Sequence, residues 1–389
     1  MQQNMYCSAM RILMFGNPMP GHLLPMLPLA RSLRQHGHVV AFVTSAHMSG
    51  SIETEGFRLI AASPTTEAVL AEVTRRSGRD IMSGQSPDLV AQFFAGARVD
   101  LSLDQALAEA REWEPDMIVS EHCDYVGPLV AALLKVPSTV MAIDPALEPD
   151  VLDALAATAR SRYLERGLEA PAHAPSGRWL LDLCPPSLQR GGTLPPLERL
   201  ALRPEPHQAP EGTPRAPRAA RTGRPRVLVS FSTAPGAAPR LGPVLQSLGT
   251  LDVDLVATSG GVPVDTLGLD VERVEMVTFL PAAELLDGVS VVVHHGGSGT
   301  TFGTAARGVP AVVVPGTPGQ QRQAARLQTA GAGVALPNGE QEPESVTAAV
   351  RRLLEEPAFT TAAHRLRDEI AAMPSAAEVA SRLVHSVGA

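Results

Sequence analysis

One tract, Val291 to Thr301, constrains the fold of this chain more than any other part of the sequence. Its opening run of β-branched valines predicts a buried strand that ends in two histidines. The residues that follow are small and flexible and lead into a predicted helix: Gly296, Gly297, Ser298, Gly299 and Thr300. Such a corner presents unpaired backbone N–H groups and the positive end of a helix dipole, which favour a phosphate. Taken alone, the tract also fits an ordinary turn between a strand and a helix.

Composition limits the class of protein. A chain of 389 residues is too long for one ordinary core and suits two domains of similar size. Hydrophobic residues at 44% and charged residues at 19% are typical of a soluble globular protein. No apolar run reaches the ~18 residues of a membrane span, and the start of the chain lacks a signal-peptide pattern. We therefore expect a cytoplasmic protein.

The net charge and the cysteine spacing argue against nucleic acid and metal ions as partners. The net charge of −8 disfavours general binding to nucleic acid. The three cysteines are scattered without the spacing of metal ligands, so the sequence predicts reduced thiols and no bound metal.

The first half of the chain alternates strand and helix patterns. Arg11–Phe15 is predicted to be a buried strand, Leu23–Gln35 a helix and Val39–Thr44 the next strand. Later strands are predicted at Met117–Ser120 and Ser138–Ala142. A strand, a helix and a strand at this spacing form a βαβ unit, which requires a parallel sheet.

The second half repeats the opening pattern. Arg226–Phe231 resembles Arg11–Phe15, and each run leads into a loop that contains glycine. The residues between the halves, about 203–226, are rich in Pro, Arg and Ala and cannot build a core, so we expect a linker there. Its arginines are also compatible with a nucleic-acid arm, but no aromatic residues are interleaved with them. The repeat predicts an α/β fold with two Rossmann-like domains that face each other.

Two more motifs flank the glycine-rich tract. Phe279-Leu280-Pro281 lies upstream, and Pro315–Gln321 lies downstream and opens another helix. This order resembles the nucleotide-sugar signature of the inverting glycosyltransferases that decorate natural products, such as plant flavonoid and bacterial polyketide glycosyltransferases. The resemblance runs along nearly the whole chain and is closest to the bacterial antibiotic branch.

The resemblance implies the GT-B fold, in which two Rossmann-like domains face each other across a cleft. It implies an acceptor-binding domain at 1–205, of which 1–9 is a loose tail, and a linker at 206–225. A nucleotide-sugar-binding domain at 226–374 follows, and a helix at 375–389 returns to pack on the first domain. Ser375-Ala376-Ala377-Glu378 supports the start of that helix because it has the pattern of a capping box.

For the donor, the resemblance assigns His294 to the diphosphate, and the turn from Gly296 to Thr300 supplies backbone amides. Phe279 and Leu280 take the position beside the base, and Gln320 the position that contacts the sugar hydroxyls. Thr233 matches a family residue that contacts nucleotide or phosphate, although it is equally compatible with a plain turn hydroxyl.

For catalysis, the resemblance assigns His22 as the base that deprotonates the acceptor. His22 lies in the loop after the first strand, where ligands bind in open α/β sheets, and otherwise would cap the following helix. Glu121 takes the place of the family's aspartate and is expected to orient His22. Asp124 is the alternative to Glu121, and His122 is expected to be a loop or acceptor-pocket residue.

Two positions depart from the family pattern. Gly319 stands where the family has an acidic residue that contacts sugar hydroxyls, which favours a deoxygenated or otherwise modified sugar. Ala282 stands where plant members have a glutamine near the ribose, which favours dTDP over UDP. The acceptor is not identified, although its pocket is expected from Arg75–Phe94 and Ile143–Ala157.

The resemblance thus implies an inverting, metal-independent hexosyltransferase that uses a dTDP- or UDP-sugar as co-substrate, with no other cofactor. The acceptor is expected to be a small hydrophobic aglycone from antibiotic biosynthesis. One alternative is a sugar-nucleotide epimerase of the same architecture. The other is a non-catalytic partner that binds a nucleotide sugar or a lipophilic ligand. A homodimer is left open, as are the linkage type and the need for an auxiliary activator protein.

Overall fold

The computed structural model divides the chain into two compact units. Unit 1 combines Met1–Cys184, Gly191–Arg203 and Met373–Ala389, and unit 2 combines Pro185–Arg190 and Pro204–Ala372. The structure describes residues 9–79, 81, 84, 86–210, 212–213, 223–231, 238–258, 274–277 and 280–387.

Unit 1 is built on a parallel sheet that contains seven strands among the described residues. The strands are β1 (Arg11–Phe15), β2 (Val39–Thr44), β3 (Arg58–Ala61), β4 (Met117–Glu121), β5 (Ser138–Ala142), β6 (Trp179–Asp182) and β7 (Glu198–Ala201). Their order in the sheet is β3-β2-β1-β4-β5-β6-β7. The direction of the strand order reverses between β1 and β4, and ligands of open α/β sheets bind outside the carboxyl ends of strands at such a point.

Helices connect these strands. They are α1 (Pro20–Leu23), α2 (Leu27–Gln35), α3 (Ser49–Ile52), α4 (Thr66–Ser77), α5 (Pro87–Ala91), α6 (Arg98–Trp113), α7 (Val126–Leu134) and α8 (Pro149–Glu165). A π-helix, Gln92–Ala97, joins α5 to α6. The helix predicted at Leu23–Gln35 is interrupted, because a 3₁₀ turn at Leu24–Met26 separates α1 from α2. Pro25 and Pro28 explain the break, since proline has no N–H for the helical ladder.

Unit 2 has the same arrangement in a sheet with six strands among the described residues, ordered β10-β9-β8-β11-β12-β13. The strands are β8 (Arg226–Ser230), β9 (Asp254–Thr258), β10 (Val274–Val277), β11 (Val291–His294), β12 (Ala311–Val313) and β13 (Gly333–Ala335). The helices are α9 (Ala238–Leu248), α10 (Ala282–Leu285), α11 (Ser298–Ala306), α12 (Pro318–Thr329), α13 (Pro343–Glu355) and α14 (Pro357–Ala371). Here the strand order reverses between β8 and β11.

Each unit has its own apolar core. In unit 1 the core includes Leu13, Phe15 and Ile118 from the central strands, and in unit 2 it includes Val229 and Val293. All strand pairs named in these sheets are parallel. The predicted α/β fold with two parallel-sheet units is therefore confirmed.

The structure differs from the predicted domain boundaries at two places. Pro185–Arg190 belongs to unit 2, although it lies inside the segment assigned to the first domain. The predicted linker also begins inside unit 2, because Ala283 N donates a hydrogen bond of 3.0 Å to His207 O. A segment poor in apolar side chains can still be fixed by its backbone groups.

The final helix, α15 (Ala376–Val387), belongs to unit 1 and packs against α2. It begins with the predicted capping box: Glu378 N donates to Ser375 Oγ at 3.3 Å, and Ser375 N donates to Glu378 Oε2 at 2.8 Å. Among the described residues, no helix combines the length and the apolarity that crossing a membrane requires.

Candidate active site

The loop after β1 carries His22. Met19 precedes α1 in an extended conformation, and Pro20 occupies the first helical turn, where its missing N–H costs nothing. His22 lies in this one-turn helix, and its side chain is 17% exposed. The sequence Pro-Gly-His thus places an accessible imidazole at the carboxyl end of β1.

Glu121 is the last residue of β4, which pairs with β1 in parallel. Because parallel strands end at the same edge of a sheet, the two predicted catalytic residues come together although 99 positions separate them. His22 Nδ1 lies 2.9 Å from Glu121 Oε1, and the Glu121 side chain is completely buried. The structure therefore brings the predicted pair into hydrogen-bond contact.

The Glu121 carboxylate has further donors. Its Oε1 also accepts a hydrogen bond from the side-chain amide of Asn17, and its Oε2 accepts one of 2.7 Å from Cys123 N. A buried carboxylate with several donors is held in one orientation and stays ionised. Glu121 therefore presents a fixed negative charge to the Nδ1 side of His22.

Burial and charge act in opposite directions on this pair. Burial lowers the pKa of His22, but the nearby Glu121 carboxylate outweighs it, so the net pKa is raised above 6.5. Burial raises the pKa of Glu121, but its interaction with His22 outweighs that effect, so the net pKa is lowered. When His22 is neutral, Glu121 holds its proton on Nδ1, which leaves the Nε2 lone pair available to accept a proton.

Asp124, the alternative partner for His22, has another role. Its Oδ2 lies 2.8 Å from Arg98 Nη1, and its Oδ1 accepts a hydrogen bond of 2.8 Å from Gly127 N. Arg98 also donates from Nη2 to Gly16 O at 3.0 Å, so it links the loop after β1 to the loop after β4. Neither Asn17 nor Arg98 was predicted from the sequence to belong to the site. An arginine inside the apolar run from Phe93 to Val99 was the available signal.

The π-helix brings an aromatic ring to the same place. The rings of Phe94 and His22 have centroids 5.9 Å apart, and Phe94 is partly buried. π-helical segments occur often at functional sites. Phe94 belongs to the stretch predicted to form the acceptor pocket, so an aromatic side chain borders the imidazole on that side.

His122 and Cys123 also lie near Glu121. One ligand atom from each of the three residues lies within 4.8 Å of the others, a spacing that a metal ion can use. However, the Glu121 oxygens already accept hydrogen bonds from Asn17, His22 and Cys123 N. Burial also raises the pKa of the Cys123 thiol well above 9, which keeps it protonated. We assign no metal to this cluster.

In unit 2, the glycine-rich tract forms the predicted corner between β11 and α11. Gly296 has φ +92, a conformation that favours glycine, and a Cβ there would lie 3.0 Å from Val313 Cγ1. Gly297 occupies the cap position before α11 and has no side chain to satisfy the first amides of the helix. Gly299 is exposed, and Gly297, Ser298 and Thr300 are half-buried, so the first turn of α11 is not enclosed by the core.

His294 lies at the end of β11 and is completely buried. Its Nδ1 accepts a hydrogen bond of 3.0 Å from Gly296 N, so the proton of the neutral ring lies on Nε2. Burial, with a smaller contribution from His295, lowers the pKa of His294 to about 3. Among the described residues, His294 Nε2 has no hydrogen-bond partner. A buried donor without an acceptor is costly unless a ligand supplies one.

Gln320 lies in the first turn of α12. Its Oε1 accepts hydrogen bonds from Gly316 N at 2.8 Å and Thr317 N at 3.1 Å, and it forms a capping box with Thr317. These contacts fix the orientation of the Gln320 side chain. Leu280 is half-buried just before α10. Thr233 and Phe279 lie outside the described residues.

The fold and these two strand-end sites define a class of protein. Two parallel-sheet α/β units of this kind form the GT-B glycosyltransferases. The glycosyltransferase SnogD from Streptomyces nogalater matches with a TM-score of 0.81 and 28% identity, over 98% of this chain and 100% of that chain. The glycosyltransferase SsfS6 from Streptomyces sp. SF2575, solved in complex with thymidine diphosphate, matches with a TM-score of 0.80 and 27% identity, over 97% and 99%.

Sequence comparison narrows the class to a family. Residues 242–386 match the C-terminal domain of the erythromycin biosynthesis protein CIII-like family. Over 396 aligned residues the chain is 30% identical to the elloramycin glycosyltransferase ElmGT of Streptomyces olivaceus, with 97% of this chain and 98% of that protein covered. The chain therefore belongs to the family of antibiotic glycosyltransferases, and it is a glycosyltransferase, as the motifs predicted.

Proposed function

We propose that this enzyme transfers a deoxygenated or otherwise modified hexose from a dTDP-sugar to a hydroxyl group of a small hydrophobic aglycone in antibiotic biosynthesis. The transfer inverts the anomeric carbon and requires no metal. The observation that carries the proposal is the contact of 2.9 Å between His22 Nδ1 and the buried Glu121 carboxylate. The similarity to a glycosyltransferase solved with thymidine diphosphate supports the choice of nucleotide.

In this mechanism the neutral His22 ring accepts the acceptor's proton on Nε2 as the acceptor oxygen attacks the anomeric carbon. Glu121 stabilises the imidazolium that forms. The bond between the anomeric carbon and the diphosphate breaks on the opposite face, so one displacement inverts the configuration. The negative charge of the leaving diphosphate is met by His294 Nε2–H and by the amides at the start of α11.

Three substitutions separate proton removal from donor binding. His22→Ala should lower turnover by ~10²–10⁴-fold, the usual range for a positioned general base, and keep its affinity for dTDP. Glu121→Gln should lose less, because the base remains. His294→Ala should weaken dTDP binding by ~1.5–3 kcal/mol, the scale of a hydrogen bond to a charged group.

The assay follows dTDP release and the glycosylated product with a panel of dTDP- and UDP-sugars, and the acceptor should be an aliphatic alcohol that does not ionise by itself. Exposed His36 provides the control: His36→Ala should keep full turnover. Near-normal turnover of His22→Ala would remove the base assignment. An isomerised sugar nucleotide without a glycoside would favour an epimerase, and loss of turnover in a chelator would contradict metal independence.

Donor selectivity tests the role of Gly319. A Cβ at this position would meet only Arg322 Nη2, at 3.9 Å, so a carboxylate fits there. Gly319→Asp should therefore shift the preference in a competition assay from deoxygenated sugars towards fully hydroxylated hexoses. Gly319→Asn has the same size without the charge and should shift it less. If the native enzyme prefers UDP-glucose, this account of Gly319 is wrong.

A further inference from the structure

Asn17 shares an oxygen of Glu121 with His22. It is the second residue after β1 and is completely buried. Its side-chain amide donates to Glu121 Oε1, and its backbone N lies 3.4 Å from the same oxygen. That oxygen is also the one that contacts His22 Nδ1, at 2.9 Å. Two residues that follow β1, Asn17 and His22, thus compete for the charge of a single carboxylate oxygen.

We propose that Asn17 is a positioning residue that holds Glu121 and limits how strongly this carboxylate attracts a proton to His22. The proposal rests on the proposed function, in which His22 must be neutral to accept a proton. Each hydrogen-bond donor to Oε1 stabilises the negative charge on Glu121. The carboxylate then stabilises a protonated His22 ring less strongly. Without Asn17, Glu121 interacts more strongly with protonated His22, and less of the enzyme carries the free base at neutral pH.

Charged groups on several elements face this pair. Besides Glu121 on β4, Asp144 after β5 favours protonation of His22, and Arg98 on α6 opposes it. His122 Nδ1 lies 3.6 Å from Glu121 Oε2, and Asp124 is paired with Arg98. Substituting Asp144 or Arg98 changes the net charge near His22. Asn17 is neutral, so its replacement changes a hydrogen bond while the surrounding charges stay in place.

The test is the pKa of His22 in Asn17→Leu, which keeps the side-chain volume and removes the donor. NMR titration of the free protein measures this pKa directly, with the His22 signal assigned by its absence in His22→Gln. We expect the pKa to rise by roughly one unit, the spread that surroundings impose on histidines in folded proteins. The pH below which kcat/KM decreases should rise with this pKa.

The Glu121→Gln background gives a second test. There Asn17→Leu should leave the pKa of His22 unchanged, because the shared carboxylate is gone. Asn338→Leu, at an exposed asparagine of unit 2, is the matched control and should not move the pKa. If Asn17→Leu does not fold, the pKa of His22 is measured in Asn17→Ala, which also removes the donor.

An unchanged pKa of His22 in the Asn17 variant, with turnover reduced equally at every pH, would overturn the proposal and leave Asn17 a purely structural role. The proposal is also overturned if Asn17→Leu still raises the pKa of His22 in the Glu121→Gln background. Because the titration needs neither donor nor acceptor, a shift in a protein that transfers no sugar would support Asn17 and contradict the proposed function instead.

Discussion

His22 and His294 show how surroundings decide the protonation of the same side chain. Burial lowers the pKa of both His22 and His294. Of the two, only His22 has a carboxylate in contact among the described residues, and Glu121 reverses the direction of its pKa shift. His294 contacts a backbone N–H instead and stays neutral down to about pH 3. The first arrangement suits a base that becomes charged during reaction, and the second suits a permanent hydrogen-bond donor.

This contrast predicts opposite effects on stability in acid. An unfolded His294 binds a proton near pH 6.5 but the folded one only near pH 3, so its burial destabilises the fold as pH falls between these values. His294→Gln still accepts from Gly296 N but cannot titrate. Its free energy of unfolding, measured with urea from about pH 7 to 4.5, should therefore fall less than that of the native protein.

His22→Gln is the control with the opposite sign. The raised pKa of His22 gives stability that is present below about pH 6.5 and lost as pH rises through the folded value. Removing His22 should therefore make the loss of stability in acid steeper. Equal slopes for the native protein and His294→Gln would mean that His294 is not buried as a neutral ring.

The sequence predicted the contact between His22 and Glu121 but not the surroundings of this pair. His22 and Glu121 belong to recognisable motifs at strand ends. Asn17 looks like any loop asparagine, and its partner lies 104 positions away, so its role appears only when β1 and β4 become neighbours. The protonation of His294 was equally hidden, because it depends on complete burial and on one backbone N–H.

At the scale of elements, runs of β-branched residues located the strands well. β2 and β5 have the predicted bounds, and β4 is one residue longer, which makes Glu121 part of the strand. The first helix was less predictable, because its apolar spacing continues through Pro25 and Pro28 while its hydrogen bonds do not. The spacing of apolar residues shows which face of a helix is buried, whereas the backbone N–H groups determine where the helix is continuous.

The helix α15 should contribute strongly to the stability of unit 1. Val379, Ala380 and Leu383 on this helix are completely buried. Leu383→Ala should lower the free energy of unfolding of unit 1 by about 2–5 kcal/mol, the usual cost of a cavity in a core. Trp113 and Trp179, the two tryptophans of the chain, both lie in unit 1, so their fluorescence measures its unfolding.

The neighbouring Arg382 supplies the control, because it is exposed. Arg382→Ala should change stability by no more than about 0.5 kcal/mol. If Leu383→Ala has an equally small effect, α15 does not complete the core of unit 1.

At the scale of the whole molecule, the two cores predict two unfolding transitions. All described residues assigned to the donor lie in unit 2, so dTDP should stabilise that unit, by about 2.7 kcal/mol at 100 times Kd. Calorimetry should show one transition moving with dTDP, while the tryptophan fluorescence of unit 1 changes little. A shift of equal size in the fluorescence transition would contradict this assignment.

The division of the chain also has a consequence for its synthesis on the ribosome. Unit 1 receives its first strand at Arg11 but its last helix from Met373–Ala389, and the whole of unit 2 is translated in between. Domains generally fold in the order in which they are made. Here the unit that begins first is completed last, so α2, the helix against which α15 packs, lacks this neighbour until the other unit has been made.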